Sequence, residues 1–471
     1  MPLILNDILL KNRRTKIIAT LGPSTTTPEV LEQILAAGVN VVRLNMSHGS
    51  HESHAKNYAS IRNLAKKMGL PVAVLVDLSG PKMRCGKFVD GKITLKEHET
   101  VIVTVDDVIG KPGLIPSQYT ALTKDVRVGN SILLDDGALE LRVESITGNE
   151  ITAKVIHGGI LKDHKGINLP NVTISTPVLT QKDKKDAIFA QKLGADYIAL
   201  SFVSKASDIL ELRALTTAAI IAKIEKPEAL SNIDEIIDAS DGIMIARGDL
   251  GVEMAAEDVP TVQDQLIDLT VKKMKPVIVA TQMLESMIVN PRPTRAEVTD
   301  VSYAVNSGAD AVMLSAETAS GEHPVKSVEI MDRIARRAEA RLWKEGMWGT
   351  SSEDETNFSK VIANATAKMS KELLTHACMV VCTTCLPALI IASARPASPI
   401  VAIVSNESDY QRLALVWGVI PIMQKDIEGV DLITFAKETA IKQNLARVGD
   451  CILLVNGFTG TVSPSITIIK V

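Results

Sequence analysis

The sequence predicts an α/β architecture: a (β/α)₈ barrel of the TIM type, with a small β-barrel lid domain inserted into it and a C-terminal α/β domain after it. Three observations carry this. Eight short apolar runs rich in Val, Ile and Ala recur along the chain, each too short for a helix and apolar enough for a strand buried on both faces. One gap between them is far longer than the rest and is filled with alternating β patterns. From about residue 358 onward, strand and helix patterns alternate again.

The runs are Lys16–Thr20, Val39–Leu44, Val72–Val76, Tyr197–Leu200, Ala219–Ala222, Ile243–Ala246, Val277–Ala280 and Ala311–Leu314. Most are separated by roughly 22 to 35 residues, room for one crossover helix. In such a barrel function sits on the loops after the C-terminal strand ends, and those ends hold the polar residues: Arg43, Asn45, Ser47 and His48; Asp77; Ser201; Lys223 and Glu225; Arg247 and Asp249; Thr281 and Gln282; Ser315 and Glu317. Between the third and fourth runs lie about 120 residues instead of about 30. Lys92–Leu95, Thr100–Val105, Ser131–Leu134, Leu139–Val143 and Ile151–Ile156 alternate there between Asp-Gly and Gly-Asn turns. An all-β insertion at the functional rim suits a lid that excludes water.

After the eighth run a capped helix is expected near His323-Pro324, and the Gly, Ser and acidic residues of 344–357 mark a boundary. Strands are then expected at Cys378–Cys382, Ile400–Val404, near Val419–Met423, at Cys451–Val455 and at Ile466–Val471. The domains are therefore expected as 1–85 and 176–345 for the barrel, 86–175 for the lid and 346–471 for the C-terminal domain.

Composition narrows the function. At 471 residues the chain exceeds one ordinary domain, and 46% hydrophobic against 23% charged residues suits large aliphatic cores. A net charge of -4 without a basic run argues against nucleic acid as a partner. The first ten residues are apolar but interrupted by Asn6 and Asp7, and Lys11, Arg13 and Arg14 follow them, the wrong order for a signal peptide. No run approaches the length of a membrane span, so no membrane partner is expected. Five cysteines, an odd number at irregular spacing, suit reduced thiols and a cytoplasmic location. Cys382-Thr-Thr-Cys385 lacks the second pair a zinc site needs and reads as packing thiols.

The densest chemistry lies in Ala222–Gly251. Strand side chains alternate, so Lys223 and Glu225 share one side where their strand gives out, and the next strand ends in Arg247-Gly248-Asp249. Two neighbouring strands would deliver a cation and two carboxylates to one sheet edge. That outlines a site for a hard divalent cation, which takes one or two carboxylates and leaves room for substrate oxygens. Elsewhere, Thr294 and Glu297 have capping-box spacing. Leu21–Ser24 and Ser79–Arg84 form Gly-Pro turns whose N–H groups could cradle phosphate. His48, His51 and His54 are spaced like metal ligands but lack a second cluster.

Together these motifs resemble one family. Thr15-Lys-Ile-Ile-Ala-Thr-Leu-Gly-Pro-Ser24, Val42-Arg-Leu-Asn-Met-Ser-His-Gly49, Ala222-Lys-Ile-Glu225, Met244-Ile-Ala-Arg-Gly-Asp-Leu-Gly-Val-Glu253, Ala280-Thr-Gln-Met-Leu-Glu-Ser-Met287, Pro291-Arg-Pro-Thr-Arg-Ala-Glu297 and Val312-Met-Leu-Ser-Ala-Glu-Thr318 look like the signatures of pyruvate kinase, in order along the whole chain. The resemblance implies transfer of the phosphoryl group of phosphoenolpyruvate to ADP, giving pyruvate and ATP, in a homotetramer. It implies that Lys223 stabilises the phosphoryl group in flight, that Glu225 and Asp249 hold Mg²⁺ (or Mn²⁺), and that Arg43, the Gly248 backbone and Thr281 complete the substrate site. Nucleotide would meet Asn45, Met46, Ser47, His48, Arg84 and Lys165, the last in Lys165-Gly-Ile-Asn-Leu-Pro170. Thr281, Ser315 or ordered water would pass a proton to the enolpyruvate. Such chemistry leaves the protein mainly positioning and charge neutralisation.

Two departures from the family pattern change expectations. K⁺ in many members is bound by residues matching Asn45, Ser47, Asp77 and the Leu78 backbone, with a Glu where this chain has Lys82. An ammonium there could replace the monovalent ion, so weak or absent K⁺ dependence is expected. The sugar-phosphate loop pattern Thr-x-Ser-Gly-x-Thr/Ser is degraded to Thr383-Thr-Cys-Leu-Pro-Ala388, and the late loop Gly457–Thr461 is short, so activation by a sugar bisphosphate is expected to be weak or lost. A metal-dependent lyase acting on a pyruvate enolate would leave the lid and Lys223 without purpose. A non-catalytic sensor would be expected to have lost one of Lys223, Glu225 or Asp249.

Overall fold

The computed structural model describes residues 13–344, 358–426, 429–457 and 464–471. Eight parallel strands close a barrel: β1 (Lys16–Thr20), β2 (Val41–Asn45), β3 (Ala73–Asp77), β12 (Tyr197–Leu200), β13 (Ala219–Ile224), β14 (Gly242–Ala246), β15 (Val277–Ala280) and β16 (Ala311–Leu314). Sequence neighbours pair in turn, and β3 pairs directly with β12 across the long insertion. The eight expected runs all become barrel strands, with β2 and β3 shifted toward their polar ends so that Asn45 and Asp77 are their last residues.

Alternate strand residues face opposite ways and build two cores. Ile17, Val42, Val74, Ile220, Ile243 and Val312 pack outward against the helices. Ile18, Val41, Leu75, Tyr197, Met244 and Ile278 fill the barrel interior.

The insertion forms a curled half-barrel sheet in the order β11-β7-β8-β9-β5-β6, with a two-stranded ribbon β10-β4. Its strands are β4 (Lys92–Leu95), β5 (Thr100–Thr104), β6 (Leu114–Pro116), β7 (Ser131–Leu134), β8 (Leu139–Thr147), β9 (Glu150–His157), β10 (Gly159–Lys162) and β11 (Ile167–Asn168). β6, β10 and β11, of three, four and two residues, were not among the strands named from the sequence. The insertion has its own core around Leu141, Val143 and Val155.

The C-terminal sheet runs β19-β18-β17-β20-β21, with β17 (Cys378–Cys382), β18 (Ile400–Val404), β19 (Val419–Met423), β20 (Cys451–Asn456) and β21 (Ser465–Lys470). It docks against the barrel floor, the end away from the polar strand termini. Ala414 and Leu415 join the cluster inside the barrel, and the Tyr197 hydroxyl donates to the Arg412 carbonyl at 2.8 Å. Arg395 bonds both Asp310 oxygens at 3.0 and 3.1 Å and lies over the Trp417 ring.

The capping box forms as expected, and Glu297 also accepts from the Ser286 amide and hydroxyl. Cys382 is buried, and the half-buried Cys385 thiol donates to Asp409 at 3.0 Å. The first ten residues, 345–357 of the boundary segment and all of the late loop except Gly457 lie outside the described residues. Among the described residues no helix is long and apolar enough to cross a membrane.

Candidate active site

At the C-terminal mouth of the barrel a cavity of about 130 Å³ is lined by Arg43, Asp77, Lys82, Lys223, Glu225 and Asp249, among others. Lys223 stands near the end of β13, where the barrel interior opens. Its ammonium donates to Ser201 Oγ at 2.7 Å and pairs with Glu225 Oε1 at 2.9 Å and Asp77 Oδ1 at 3.2 Å. Burial alone would lower its pKa, but the charges of Asp77 and Glu225 prevail and hold it above the ordinary lysine value.

Asp77 ends β3 and serves two cations. Its Oδ2 accepts from Arg43 Nε at 2.7 Å, and its pKa lies below the usual range because the charges of Lys223 and Arg43 outweigh burial. Arg43 also donates to Thr20 Oγ1 at 3.1 Å, so its guanidinium is fixed from two strands.

Glu225, one residue beyond β13, accepts the Phe202 amide at 2.7 Å on its second oxygen. Its pKa is raised by burial first, with the nearby charge of Asp249 adding to the effect against Lys223. Phe202 has φ of +58°, and Thr281 and Gln282 have φ of +69° and +54°. Bulky or β-branched residues in this region store strain of the kind that gathers at functional sites. Thr281 Oγ1 accepts the Gly248 amide at 2.7 Å and donates to the Ala280 carbonyl at 2.5 Å.

The donor set suits a hard divalent cation. Glu225 and Asp249 face one cavity, and the charge of Asp249 adds to burial in raising the proton affinity of Glu225, a repulsion that a cation between them would relieve. Among the described residues no group of three or more His, Cys, Asp or Glu could form a protein-only cage, so such an ion would keep positions for substrate oxygens. Lys82 lies 3.6 Å from Asp249, near this carboxylate pair.

Asn45, Ser47, Asp77 and Leu78 line the same cavity; Asn45 Oδ1 accepts the Ser47 amide, the Leu78 carbonyl accepts Ser201 Oγ, and Asp77 pairs with Arg43 and Lys223, although its buried Oδ1 has no hydrogen-bond donor. His48 and Arg84 line it too, and burial followed by the charges of Arg84, Arg43 and Lys82 depresses the His48 pKa.

Other predicted residues stand apart from this cavity. Met46 is buried, with its carbonyl accepting Lys182 at 2.6 Å. Lys165 pairs within the insertion to Asp135 at 2.7 Å. Ser315, just past β16, gives its amide to Glu317 at 2.7 Å. Arg247 turns away to chelate Asp300 at 2.5 and 2.7 Å. The Gly-Pro turns use their amides internally, Gly22 on Thr25 and Gly80 on Asp183.

Sequence reasoning placed Ser201 at a strand end but gave it no role, and it left Phe202 out. Ser201 had a signal, a hydroxyl directly after an apolar run. Phe202 had none, since its contribution is a backbone amide.

Comparison with known proteins places the chain. The family model described as pyruvate kinase, barrel domain, matches residues 12–328, and that described as pyruvate kinase, alpha/beta domain, matches residues 360–471. A pyruvate kinase of Geobacillus stearothermophilus is 42% identical over 469 residues, covering 98% of this chain and 80% of the relative. One from Clostridium perfringens is 38% identical over 470 residues, covering 98% and 99%. The crystal structure of a pyruvate kinase from Cryptosporidium parvum aligns with a TM-score of 0.91 at 34% identity, covering 100% of this chain and 98% of that one.

Proposed function

The chain belongs to the pyruvate kinase family, and from that premise we propose how its own residues carry the reaction. The activity is that of the family, transfer of a phosphoryl group from phosphoenolpyruvate to ADP with release of pyruvate and ATP, in glycolysis.

The observation that carries the residue-level reading is the convergence of Lys223 on Ser201, Asp77 and Glu225. Three acceptors hold one ammonium at the mouth of the barrel, protonated throughout the neutral range. Lys223 meets the phosphoryl group between donor and acceptor and neutralises its equatorial charge. Arg43, braced by Asp77 and Thr20, binds the phosphate of phosphoenolpyruvate. The amide of Gly248 and the hydroxyl of Thr281 hold the carboxylate end, exchanging the bond they now make to each other for bonds to substrate. Glu225 and Asp249 would hold Mg²⁺, or Mn²⁺, which when bound would supply electrostatic stabilisation of developing negative charge. Nucleotide enters beside Asn45–His48 and Arg84, and Lys165 reaches it from the lid of residues 86–175. Thr281 or an ordered water passes the proton to the enolpyruvate carbon after transfer, and Ser315, which stands apart from the cavity, would act only through such a water.

Lys82 takes the part of a monovalent ion. Its ammonium sits near Asp249, in the cavity lined by Asn45, Ser47, Asp77 and Leu78, and brings a positive charge there. K⁺ dependence is therefore weak or absent. Sugar-bisphosphate activation through Thr383–Ala388 is likewise weak, since that stretch places Cys385 and Leu386 where hydroxyls and a glycine would wrap a phosphate. A homotetramer in the cytoplasm completes the reading.

Pyruvate formation from phosphoenolpyruvate, ADP and Mg²⁺ in potassium- and sodium-free buffer tests it. Equal rates with and without added K⁺, and a Lys82→Glu variant that requires K⁺, are the expected result. Turnover only with K⁺ in the unaltered chain would discard the role of Lys82, and no turnover under either condition would discard the assigned site.

A further inference from the structure

The two loops given to the nucleotide are tied to each other by a residue outside the cavity they line. Residues 46–50 follow β2 and residues 78–84 follow β3, and the helix Gln181–Leu193, the first element after the insertion, bonds to both. Lys182, in its first turn, donates to the Met46 carbonyl at 2.6 Å and to Ser79 Oγ at 3.2 Å, one acceptor from each loop. It also pairs with Asp186 Oδ2 at 2.6 Å, one turn along its own helix. An ammonium has three donors and no acceptor, so this set uses it fully.

The neighbours of Lys182 strengthen the same bracket. Asp183 Oδ1 accepts the Gly80 amide at 3.1 Å, while its other oxygen closes the capping box with Thr180. Asp186 is 3% exposed, and its Oδ1 accepts His51 Nε2 at 2.7 Å. The His51 ring stacks on Phe189 with centroids 4.1 Å apart, and His51 opens the helix His51–Met68, whose His54 Nε2 meets the His48 carbonyl at 2.8 Å. The loop of Asn45–His48 is thus held at Met46 and His48, and the turn that leads to Lys82 and Arg84 at Ser79 and Gly80. Lys182 bonds to both, so the spacing between them depends on it.

The supports of Arg43 and Lys223 are separate. Arg43 rests on Asp77 and Thr20, and Lys223 on Asp77, Ser201 and Glu225, bonds in which Lys182 takes no part. We infer that Lys182 is a positioning residue for the nucleotide, fixing the distance between the loop of Asn45–His48 and the turn of Arg84 so that ADP meets both at once. Without it ADP would have to order the two loops as it binds, and that entropy would be subtracted from its affinity. The inference rests on the assignment of those residues to nucleotide made above.

Steady-state kinetics of the full chain with Mg²⁺, varying ADP and phosphoenolpyruvate separately, tests it. The Lys182 side chain is 56% exposed, so Lys182→Met is expected to fold. It should raise KM for ADP by about tenfold and move KM for phosphoenolpyruvate by less than about twofold. Ser79→Ala, which keeps the lysine but removes one of its loop acceptors, should raise KM for ADP by a smaller factor. The double variant should be no worse than Lys182→Met alone, because the shared bond is lost once. An unchanged KM for ADP in Lys182→Met, equal rises in both KM values, or multiplicative effects of the two substitutions overturn the inference. Arg84→Ala reports on the nucleotide assignment itself: an unchanged KM for ADP there overturns that assignment, and the inference falls with it.

Discussion

Lys223 is held by three acceptors in a largely buried site, an arrangement that would make its charge effective in the proposed transfer. A preorganised cation of this kind contributes to the transition state far more than an exposed one. Lys223→Met should lower kcat by at least about 10²-fold while Mg²⁺ titration of the variant stays near normal, because Glu225 and Asp249 remain. Equal turnover would remove the residue from the mechanism. A different lysine is held against its nature: Lys16, at the barrel floor, is buried beside Arg13 and Arg14 and donates to the Val419 carbonyl at 2.6 Å. Burial, with Arg13 adding, depresses its pKa from 10.5 to about 7. Below about 7 both folded and unfolded chains carry that proton, and the folded state bears the buried charge in full. Between about 7 and 10.5 only the unfolded chain keeps it, so this residue's contribution to stability rises with pH. Lys16→Met should raise Tm at pH 6 more than at pH 9, and a difference independent of pH would refute the assignment. At this scale the sequence revealed residue types at strand ends but not partners. Asp77 was legible as a polar terminus, whereas its double duty toward Arg43 and Lys223 needed β2, β3 and β13 in their closed order.

Among the elements, the turn after β3 shows how backbone conformation shapes the site. Gly80 has φ of +63°, and a Cβ there would stand 2.7 Å from Phe202 Cδ2 and 3.0 Å from Ser201 Cβ. Gly80→Ala should destabilise the fold by about 1–3 kcal/mol and weaken Mg²⁺ binding, since the displaced ring takes with it the amide that holds Glu225. Denaturant unfolding alongside a Mg²⁺ titration checks both, and unchanged metal affinity would disconnect Phe202 from the metal ligand. The barrel strands were legible because burial on both faces leaves continuous apolar runs, and the capping box at Thr294 because its spacing is local. The short strands β10 and β11 were not, since they pair with β4 and β7, well removed in sequence, and β6 was not because three residues ending in Pro116 show no strand pattern. The strained turns at Phe202 and Thr281 were hidden because neither residue type announces a positive φ.

At the scale of the whole molecule, the C-terminal domain completes the barrel as well as abutting it. Leu415 is fully buried within the interior cluster, so Leu415→Ala should cost about 2–5 kcal/mol, far more than a surface contact between independent domains would. Thermal unfolding would follow it, and a loss below about 1 kcal/mol would mean that the floor is sealed without this residue. The division into barrel, insertion and trailing α/β unit was readable from spacing alone, but the plug was not: Leu413-Ala-Leu415 is an unremarkable apolar triplet until the tertiary fold brings it beneath β3 and Tyr197. Its position in the chain matters during synthesis. The eighth barrel strand is finished at Leu314, but the plug leaves the ribosome roughly 100 residues later, a delay on the order of 5–20 s at ordinary elongation rates. For that interval a barrel folding ahead of its tail would have walls but an open greasy base, the surface a chaperone would be expected to grip until the tail arrives to close it.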